Sequence, residues 1–590
     1  MAKTKKTPET ESVSTGAIPS TAQSKLRKLI VQNFGCIGST AVGVELDDIV
    51  VLVGPNNAGK STILRAYQAI TESSAPKLTI EDFHERKIDP SALPTIELVT
   101  AVGDDVPGNR WVQNIDGENI VRERWVWKEP GTEAKRQGWD VTTSEWSDNV
   151  PWGAANVANS RRPVPHRLEA FANPTEQVKE VTDMLVKVLQ GRIKGRPAEI
   201  VGEDGQSQRT SFGQLLDALA ATQKAVVQET KTEIDHAEKQ LTAFVSDVFS
   251  GYEVKFDARP EDDLAKSLSF FKAGTELQMG PKDGHFSSAE RQGSGARRTL
   301  MWAALRYIAE STKKGETGPS HLLLLDEPEL CLHPNAIREA CRTLYQLPET
   351  NKWQVMVTTH SPAFIDLSRD NTTVVRVERD VSGTVRGTTV FRPTRAKLDV
   401  DEKRELKLLN IYDPNVAEFF FGGRTILVEG DTEYTAFKFI IAEKAADAEF
   451  KDVHVVRARG KATIRLLAKI LNQFGARYAA MHDSDTPKLA NGNTNPAWTN
   501  NERILSEIKN APDATRVRLV AAVTNFESAM FGAEVDSEKP YNAYQTLKDD
   551  PDAQTRVAEL LAALVDFTKP LPANCIQWAE LSQLLAAVVK

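Results

Sequence analysis

The stretch that decides the fold joins a short apolar run to a glycine-bracketed loop and reads Leu52-Val53-Gly54-Pro55-Asn56-Asn57-Ala58-Gly59-Lys60-Ser61-Thr62. The spacing from Gly54 to Ser61 is G-x-x-x-x-G-K-[ST], which predicts a phosphate-binding loop between a buried strand and a helix. Glycines let backbone N–H groups close around phosphates, and the following helix offers its positive N-terminal end. The sequence therefore predicts a nucleotide site formed by Gly54, Asn57, Gly59, Lys60, Ser61 and Thr62, in which Lys60 reaches the outer phosphates and Ser61 ligates Mg²⁺.

Length and composition indicate a globular protein of several domains. The 590 residues exceed one ordinary core, and 41% hydrophobic and 26% charged residues are typical of globular chains. A net charge of −8 argues against wholesale electrostatic wrapping of nucleic acid, although it leaves room for a local basic groove. The four cysteines show no C-x-x-C spacing and no apolar run approaches a membrane span. We therefore expect a cytoplasmic protein without a disulfide framework, a zinc site or membrane contact.

Residues 95–152 have the pattern of strands separated by turns. Six of the ten tryptophans lie in this region, namely Trp111, Trp125, Trp127, Trp139, Trp146 and Trp152. We expect them to pack an antiparallel sheet against the sheet that carries the loop. Stacking of the aromatic rings on nucleic-acid bases is the alternative.

Two other segments have distinct compositions. Residues 1–24 are rich in Thr, Ser, Pro and Lys, which predicts a disordered tail; contact of its basic residues with DNA is the alternative to a solvated tail. From 174 to 250 the apolar residues recur with a helical period. This predicts a helical insertion whose Lys-, Glu- and Gln-rich part at 223–240 is a protruding arm for dimerisation.

Two further predicted strands end in polar residues that suit a nucleotide site. The strand at 321–327 is continuously apolar until Asp326 and Glu327, and the carboxyl ends of central parallel strands are where open α/β sheets place ligands. Asp326 could hold Mg²⁺ and Glu327 could polarise an attacking water. His360 follows the next predicted strand, at a position from which it could contact a γ-phosphate.

Together these motifs resemble the ATP-binding-cassette (ABC) ATPases of the SMC and RecF type. Residues 54–61 resemble Walker A, residues 322–327 resemble Walker B, and His360 resembles the switch histidine. Ser294 and Gly295 lie in a segment similar to the signature motif, although its order departs from the common Leu-Ser-Gly-Gly. The resemblance implies that ATP is held between two heads of a homodimer, with the signature of one subunit completing the site of the other and Glu327 as the catalytic base.

A second α/β pattern begins at residue 424 and sets four carboxylates at two strand ends. Glu429 ends one predicted strand, and Glu433 lies four residues later in the first turn of a helix. Asp483 and Asp485 end another predicted strand and should project together, because alternate residues of an extended chain share a face. Such acids repel one another unless cations lie among them, and their oxygens suit Mg²⁺ or Mn²⁺. Two such ions could activate a water and stabilise a leaving oxygen in phosphodiester cleavage.

This half of the chain resembles a Toprim domain, in which Glu429 is the first-strand glutamate and residues 483–485 are the DxD pair. An SMC/RecF-like ATPase followed by Toprim is similar to the OLD (overcoming lysogenisation defect) family of bacterial and phage nucleases. The resemblance implies DNA as substrate, a role in anti-phage defence or DNA processing and, in some systems, a helicase partner. It also implies roles for individual residues: divalent-metal ligation by Glu429, Glu433, Asp483, Asp485 and Glu527, and transition-state stabilisation by Lys569. For Lys569, spacing alone favours a surface lysine.

The predicted fold is α/β: an ABC-type P-loop ATPase with a helical insertion, followed by a Rossmann-like Toprim domain. The expected segments are a tail at 1–24, the first ATPase part at 25–165, the helical insertion at 166–260, the second ATPase part at 261–395, a linker at 396–420 and Toprim at 421–590.

The leading functional hypothesis is an ATP-binding, metal-dependent DNA endonuclease in which nucleotide state gates access of DNA. The alternative is a non-nucleolytic DNA-binding or sensor ATPase whose acids only hold a metal or bind a partner. A topoisomerase-like enzyme ranks last, since it would need a nucleophilic tyrosine and the nine tyrosines offer none in a recognisable site.

Overall fold

The computed structural model describes residues 24–71, 73, 75–103, 106–169, 173–194, 231, 233–257, 276–311, 320–350, 352–380, 382–489, 491–533 and 537–589. Nearly all of the predicted tail and the first part of the predicted arm at 223–240 lie outside these residues. Among the described helices, none combines the length and the apolar character needed to cross a membrane.

The chain alternates strands and helices. In chain order the strands are β1 (Lys25–Gln32), β2 (Val42–Glu45), β3 (Ile49–Val53), β4 (Thr95–Val102), β5 (Val112–Ile115), β6 (Glu118–Val126), β7 (Lys135–Asp140), β8 (Glu145–Ser147), β9 (Val164–Leu168), β10 (Tyr252–Asp257), β11 (Glu276–Pro281), β12 (Ser287–Ser288), β13 (His321–Asp326), β14 (Trp353–Thr358), β15 (Thr372–Arg379), β16 (Val385–Phe391), β17 (Arg424–Val428), β18 (Val453–Arg457), β19 (Tyr478–Asp483), β20 (Val517–Ala522) and β21 (Cys575–Gln577). The helices are α1 (Lys60–Thr71), α2 (Ala155–Ser160), α3 (Pro174–Lys194), α4 (233–246), α5 (Ser294–Ser311), α6 (Pro334–Gln346), α7 (Pro393–Ala396), α8 (Val400–Tyr412), α9 (Asp431–Glu443), α10 (Lys461–Gln473), α11 (Pro496–Lys509), α12 (Phe526–Phe531), α13 (Lys539–Asp549), α14 (Pro551–Val565) and α15 (Leu581–Val588).

The sheet that carries the phosphate-binding loop has the strand order β16-β15-β3-β14-β13-β9. All neighbours in it are parallel except β15 and β16. All five residues of β3 are buried, because helices or a second sheet cover both of its faces. The carboxyl ends of β3, β13 and β14 consequently meet at one edge, as the sequence predicted for the loop, for Asp326 and for His360.

The predicted antiparallel sheet forms and packs on one face of the first sheet. Its order is β2-β1-β4-β6-β7-β8, with β5 beside β6. Alternate residues of β3 divide between two cores: Val50 and Leu52 share a cluster with Trp125, Trp127 and α1, whereas Ile49, Val51 and Val53 face the other side. These two tryptophans are buried, which agrees with packing for them rather than with base stacking.

The described helices of the predicted insertion pack on the ATPase core. Val181 and Leu185 of α3 and Leu241 and Val245 of α4 are buried in the same cluster as α5 and the core sheet. The described parts of the insertion therefore pack against the ATPase head instead of protruding. β9, at the end of the first ATPase part, is an edge strand of the sheet that carries the phosphate-binding loop.

The predicted linker at 396–420 is folded. It contains α8 and a 3₁₀ segment, Pro414–Phe421, whose buried Phe419 and Phe420 join the large core cluster. That cluster continues from the ATPase sheet through α8 to Leu427 and Leu467 of the C-terminal half. The two halves of the chain thus share one apolar core.

The C-terminal half is built on a second, Rossmann-like sheet with the order β18-β17-β19-β20-β21. Four strands are parallel and β21 is antiparallel at the edge. One face joins the shared core, and the other packs Val428, Met481 and Val520 against α9 and α14. The carboxyl ends of β17 and β19, which are neighbours, place their following residues side by side.

Candidate nucleotide and metal sites

The phosphate-binding loop has the backbone shape that its glycines predict. Gly54 and Gly59 have φ values of +135° and +107°, and a Cβ added to Gly54 would lie 2.0 Å from the carbonyl oxygen of Val377. Asn57 also has a positive φ, 58°, and its carbonyl accepts a hydrogen bond of 3.1 Å from Nε of Arg379. The hairpin of β15 and β16 therefore supports the loop from behind.

The Lys60 side chain points back into the loop and is 5% exposed. Its ammonium donates to the carbonyls of Gly54 (2.9 Å) and Pro55 (3.0 Å) and lies 2.9 Å from Nε2 of His360. Burial lowers the pKa of Lys60, and the carboxylates of Glu327 and Asp326 oppose that shift. A desolvated ammonium held by neutral groups is suited to pairing with the phosphates of a nucleotide.

The predicted Mg²⁺ ligands meet across α1 and β13. Ser61 Oγ donates to Asp326 Oδ1 over 2.9 Å, and Thr358 Oγ donates to the same oxygen over 2.6 Å. Thr358 also binds the backbone N–H of Glu327, through its hydroxyl and its carbonyl, both at 3.1 Å. The hydroxyl of Thr358, which the motifs did not predict, thus orients both acids of Walker B.

Glu327 and His360, the predicted catalytic base and switch histidine, lie next to each other. Oε1 of Glu327 is 3.4 Å from Nε2 of His360. Glu327 has a φ of 44°, a left-handed backbone unusual for a glutamate, and such strain clusters at functional sites. Burial, followed by the nearby Lys60 ammonium, lowers the pKa of His360, so its ring is neutral at pH 7 and can accept a proton.

The side chain of Glu329 positions His360. Its Oε1 accepts hydrogen bonds from the backbone N–H of His360 (2.7 Å) and the hydroxyl of Thr359 (2.8 Å). Burial raises the pKa of Glu329 above its ordinary value. Glu329 follows the Walker B acids by two residues in the sequence. That spacing alone did not predict its hydrogen bonds to His360 and Thr359.

Ser294 and Gly295 begin α5, where the sequence expected a helix start. A Cβ added to Gly295 would lie 2.9 Å from the carbonyl oxygen of Cys331, and Arg298 donates to the carbonyl of Glu327 over 3.0 Å. The signature segment of a chain therefore packs against the loop that follows its own Walker B strand.

A polar cleft of about 740 Å³ lies beside the phosphate-binding loop. Thr62 and Cys36 line it where it meets α1, and Arg379 and the turn at 382–384 form the opposite wall. Its position next to the loop suits the nucleoside part of a bound nucleotide.

The predicted carboxylates of the C-terminal half gather at the carboxyl ends of β17 and β19. Oε2 of Glu429 accepts the backbone N–H of Asp483 over 3.1 Å. Asp483 Oδ1 accepts the backbone N–H of Phe526 over 2.8 Å, which brings Glu527, in the first turn of α12, to the same edge. Glu433 and Glu527 are 4% and 3% exposed, whereas Glu429 and Asp483 are half-buried.

Burial and mutual repulsion make Glu433 and Asp483 hard to ionise. Burial, reinforced by Glu429 and Glu527, raises the pKa of Glu433 to about 7. Burial, reinforced by Glu433, Glu429, Glu527 and Asp485, raises the pKa of Asp483 well above its usual range. Carboxylates that raise one another's pKa would gain from a cation placed among them.

Asp483 and Asp485 do not alternate along one strand. β19 ends at Asp483, and Asp485 has a φ of 56°. The N–H groups of Ser484 and Asp485 donate instead to the carbonyls of Ala522 and Thr524. The predicted extended geometry does not continue to Asp485, because the left-handed backbone of that residue turns the chain; the turn nevertheless keeps both acids at the same edge.

The structure does not place Lys569 beside the predicted metal ligands. Its ammonium pairs with Glu449, four residues before β18, and its carbonyl accepts a hydrogen bond of 3.1 Å from Arg518 at the start of β20. Both neighbours lie at the amino-terminal edge of the sheet, opposite the carboxylates. The structure instead places Lys461 among the acids, where it pairs with Asp485.

A divalent cation fits the donors at this edge. All are carboxylate oxygens, which Mg²⁺ and Mn²⁺ prefer, and burial together with the neighbouring acids raises the pKa of Glu433 and of Asp483. In the parts of the chain that the structure describes, no three His, Cys, Asp or Glu side chains are already arranged to hold one metal ion. Side-chain rotation of these acids would therefore accompany binding.

The fold and the two sites define an ATPase joined to a Toprim domain. The AAA ATPase domain family matches residues 25–100 and 187–365, and the overcoming lysogenization defect protein-like TOPRIM domain matches residues 420–485. The chain therefore combines an AAA ATPase domain with an OLD-like Toprim domain, which confirms the predicted combination of an ATPase with a C-terminal Toprim domain.

Two relatives are similar to the chain along most of its length. The OLD nuclease of Thermus scotoductus is 24% identical over 567 residues, covering 92% of this chain and 99% of the relative. The Old nuclease of Escherichia phage P2 is 24% identical over 559 residues, covering 89% of this chain and 88% of the relative.

Among solved structures, the SMC head bound to the C-winged helix domain of ScpA gives a TM-score of 0.38 at 13% identity, covering 63% of this chain and 99% of that one. The SMC head domain of Thermotoga maritima gives 0.32 at 15% identity, covering 62% and 99%.

Proposed function

We propose that the protein is a divalent-metal-dependent DNA endonuclease whose ATPase domain regulates cleavage. The observation that carries this proposal is the group of half-buried and buried acids at the carboxyl ends of β17 and β19, two of which have strongly raised pKa values. Similarity to two nucleases over about nine-tenths of the chain supports the reaction class.

The proposed metal ligands are Glu429, Asp483 and Asp485, with Glu433 and Glu527 completing the set. Divalent cations held there would supply an activated water and stabilise the leaving oxygen of a phosphodiester. The chain's own contribution is positional: the N–H of Asp483 holds the Glu429 carboxylate, and the N–H of Phe526 holds the Asp483 carboxylate.

We propose that ATP controls access of DNA and does not drive bond cleavage, because phosphodiester hydrolysis needs no ATP. Lys60 would hold the phosphates, Ser61 and Asp326 the accompanying Mg²⁺, and Glu327 the attacking water, with His360 beside it. In a head-to-head homodimer, Ser294 and Gly295 would contact the nucleotide of the second copy, and the helical insertion would add a dimer contact. The predicted anti-phage role and helicase partner stay predictions.

A plasmid-cleavage assay tests the proposal. Supercoiled plasmid is incubated with the wild type and with Asp483→Asn, in Mg²⁺ or Mn²⁺ and with or without ATP. Glu559→Gln, an exposed acid on α14, is the matched control. We expect metal-dependent nicking by the wild type and the control, and a loss of at least about 100-fold in Asp483→Asn. Absence of cleavage under every condition would contradict the nuclease and favour the non-nucleolytic ATPase.

The same assay with Lys60→Ala tests the regulatory part. We expect this variant to nick plasmid in the absence of nucleotide at a rate near that of the wild type, and to lose the response to ATP. If the two proteins show the same ATP response, nucleotide binding at this loop does not gate cleavage.

A further inference from the structure

Lys461 lies inside the carboxylate edge of the Toprim domain. It is the first residue of α10, follows Gly460, which has a φ of 127°, and is 3% exposed. Its ammonium donates to Oδ2 of Asp485 and, over 2.8 Å, to Oδ1 of Asn501. Asn501 is fully buried and donates through Nδ2 to the carbonyl of Ser484 over 2.8 Å. A closed network therefore ties α10 and α11 to the turn that carries Asp485.

The position of this ammonium is unfavourable apart from its acidic neighbours. The first turn of a helix carries a partial positive charge, which repels a cation, and burial removes the ammonium from water. Two acids offset these costs: Asp485 pairs with Lys461 directly, and Glu429 lies close enough that Lys461 opposes the rise in its pKa caused by burial. The placement of Lys461 therefore depends on the same carboxylates that are proposed to hold metal.

We propose that Lys461 is a positioning residue that competes with divalent cations for Asp485 and releases it when metal binds. The inference rests on the proposed nuclease function. With Lys461 on Asp485, one carboxylate is already neutralised and the acids resist metal. When a cation takes Asp485, the ammonium remains tethered through Asn501 at the edge of the site, where it still orients the turn.

The proposed competition for Asp485 predicts that Lys461→Met binds metal more tightly than the wild type but cleaves DNA more slowly. Removing the ammonium leaves one more unbalanced negative charge, so Mn²⁺ should bind about tenfold more tightly. Cleavage should nevertheless slow at least about tenfold at saturating metal, because the turn at Asp485 loses its anchor. A purely structural lysine would give weaker metal binding together with slower cleavage.

The experiment measures Mn²⁺ binding to the full chain by electron paramagnetic resonance, without nucleotide or DNA, and kcat for plasmid nicking separately. Asp483→Asn identifies the signal that belongs to the Toprim acids. Lys461→Gln removes the charge but can still donate to Asp485, and it serves if Lys461→Met does not fold; Lys461→Arg keeps the charge. Lys539→Met is the matched control, since Lys539 lies 3.4 Å from Glu527 but its side chain is 41% exposed.

We expect tighter Mn²⁺ binding in Lys461→Met and Lys461→Gln, near wild-type affinity in Lys461→Arg, and a smaller change in Lys539→Met because solvent screens its charge. Unchanged or weaker binding in the two neutral variants would overturn the inference. If the wild type does not cleave DNA but the neutral variants still bind Mn²⁺ more tightly, the nuclease function fails and the competition at Asp485 stands.

Discussion

At the scale of single residues, Glu433 shows how the fold prepares an acid for a cation. It sits in the first turn of α9, where a helix N-terminus favours negative charge, yet burial beside Glu429 and Glu527 outweighs that effect and raises its pKa to about 7. Near neutral pH both the protonated and the ionised form of Glu433 are therefore populated. A bound cation would favour the ionised form.

Glu433→Gln should reveal this balance as a pH-dependent stability difference. A folded pKa of about 7 against an ordinary value of 4.5 means that the folded state binds the extra proton, so the contribution of Glu433 falls as pH rises from 4.5 through 7. Between pH 5.5 and 7.5 the metal-free variant should gain about 2 kcal/mol over the wild type. Thermal unfolding with a chelator present measures it; a difference that does not change with pH would contradict the raised pKa.

Gly54→Ala should disable the phosphate-binding loop. The added Cβ would meet the Val377 carbonyl at 2.0 Å, and the φ of +135° is one that alanine rarely adopts. We expect a cost of about 2 kcal/mol or more and loss of ATP binding, measured by calorimetric titration. Gly108→Ala is the control, since a Cβ there meets nothing within 4 Å; equal ATP affinity in both variants would show that the loop tolerates the clash.

Motif spacing predicted the residues at strand ends but not their partners. The Walker residues and Glu429 were found because each follows an apolar strand, and strand ends of parallel sheets converge. Lys569 was misplaced and Lys461 overlooked because contacts across a sheet depend on strand order, which the sequence does not display. The available signal was the Gly460-Lys461 pair, which lies where α10 begins.

At the scale of elements, α8 joins the two domains through a buried acid. Glu402 is 4% exposed, completes a capping box with Asp399, and receives bonds from Arg465 (3.0 Å) and Lys469 (2.7 Å) of α10. Burial opposes ionisation, but the hydrogen bonds from Lys469, Asp399 and Arg465 prevail and lower the pKa of Glu402. The segment was predicted to be a linker because its spacing does not show which core its apolar residues, such as Leu406 and Phe419, complete.

Glu402→Gln should weaken this junction at neutral pH. Breaking a buried ion pair leaves cations without a partner, at a cost of about 3 kcal/mol. Because the folded pKa is lowered, the stabilisation is present above the ordinary value of 4.5 and is lost as pH falls through the folded pKa, so wild type and variant should converge in acid. Scanning calorimetry at pH 7.5 and at a series of pH values from 4.5 down to 3 measures it, with the exposed Glu405→Gln on the same helix as control. A difference that stays constant over the whole range would exclude the ion pair as its origin.

At the scale of the whole molecule, a chain of charges leads from α8 to the Toprim acids. Arg457, at the end of β18, pairs with Asp413 just after α8 (3.1 Å) and with Asp431 at the start of α9 (2.6 Å). Asp431 lies two residues after Glu429. We therefore expect a shift of α8 to change the positions of the proposed metal ligands.

Arg457→Met should uncouple the two domains without removing either site. We expect plasmid nicking in the absence of nucleotide to persist and the ratio of rates with and without ATP to move toward one. Arg503→Met, on the exposed side of α11, is the control. An ATP response that survives in Arg457→Met would mean that the signal takes another route.

The apolar core that runs from the ATPase sheet through α8 into the Toprim sheet also limits how such a protein can be rearranged. A Toprim domain cut away at residue 420 would lose the Phe420 ring that lies 5.9 Å from Phe474, and Arg465 and Lys469 would lose Glu402, so a protease should not release it as a stable fragment. Grafting it onto a different ATPase would require matching that buried face. An exchange of either half would therefore have to preserve the shared core.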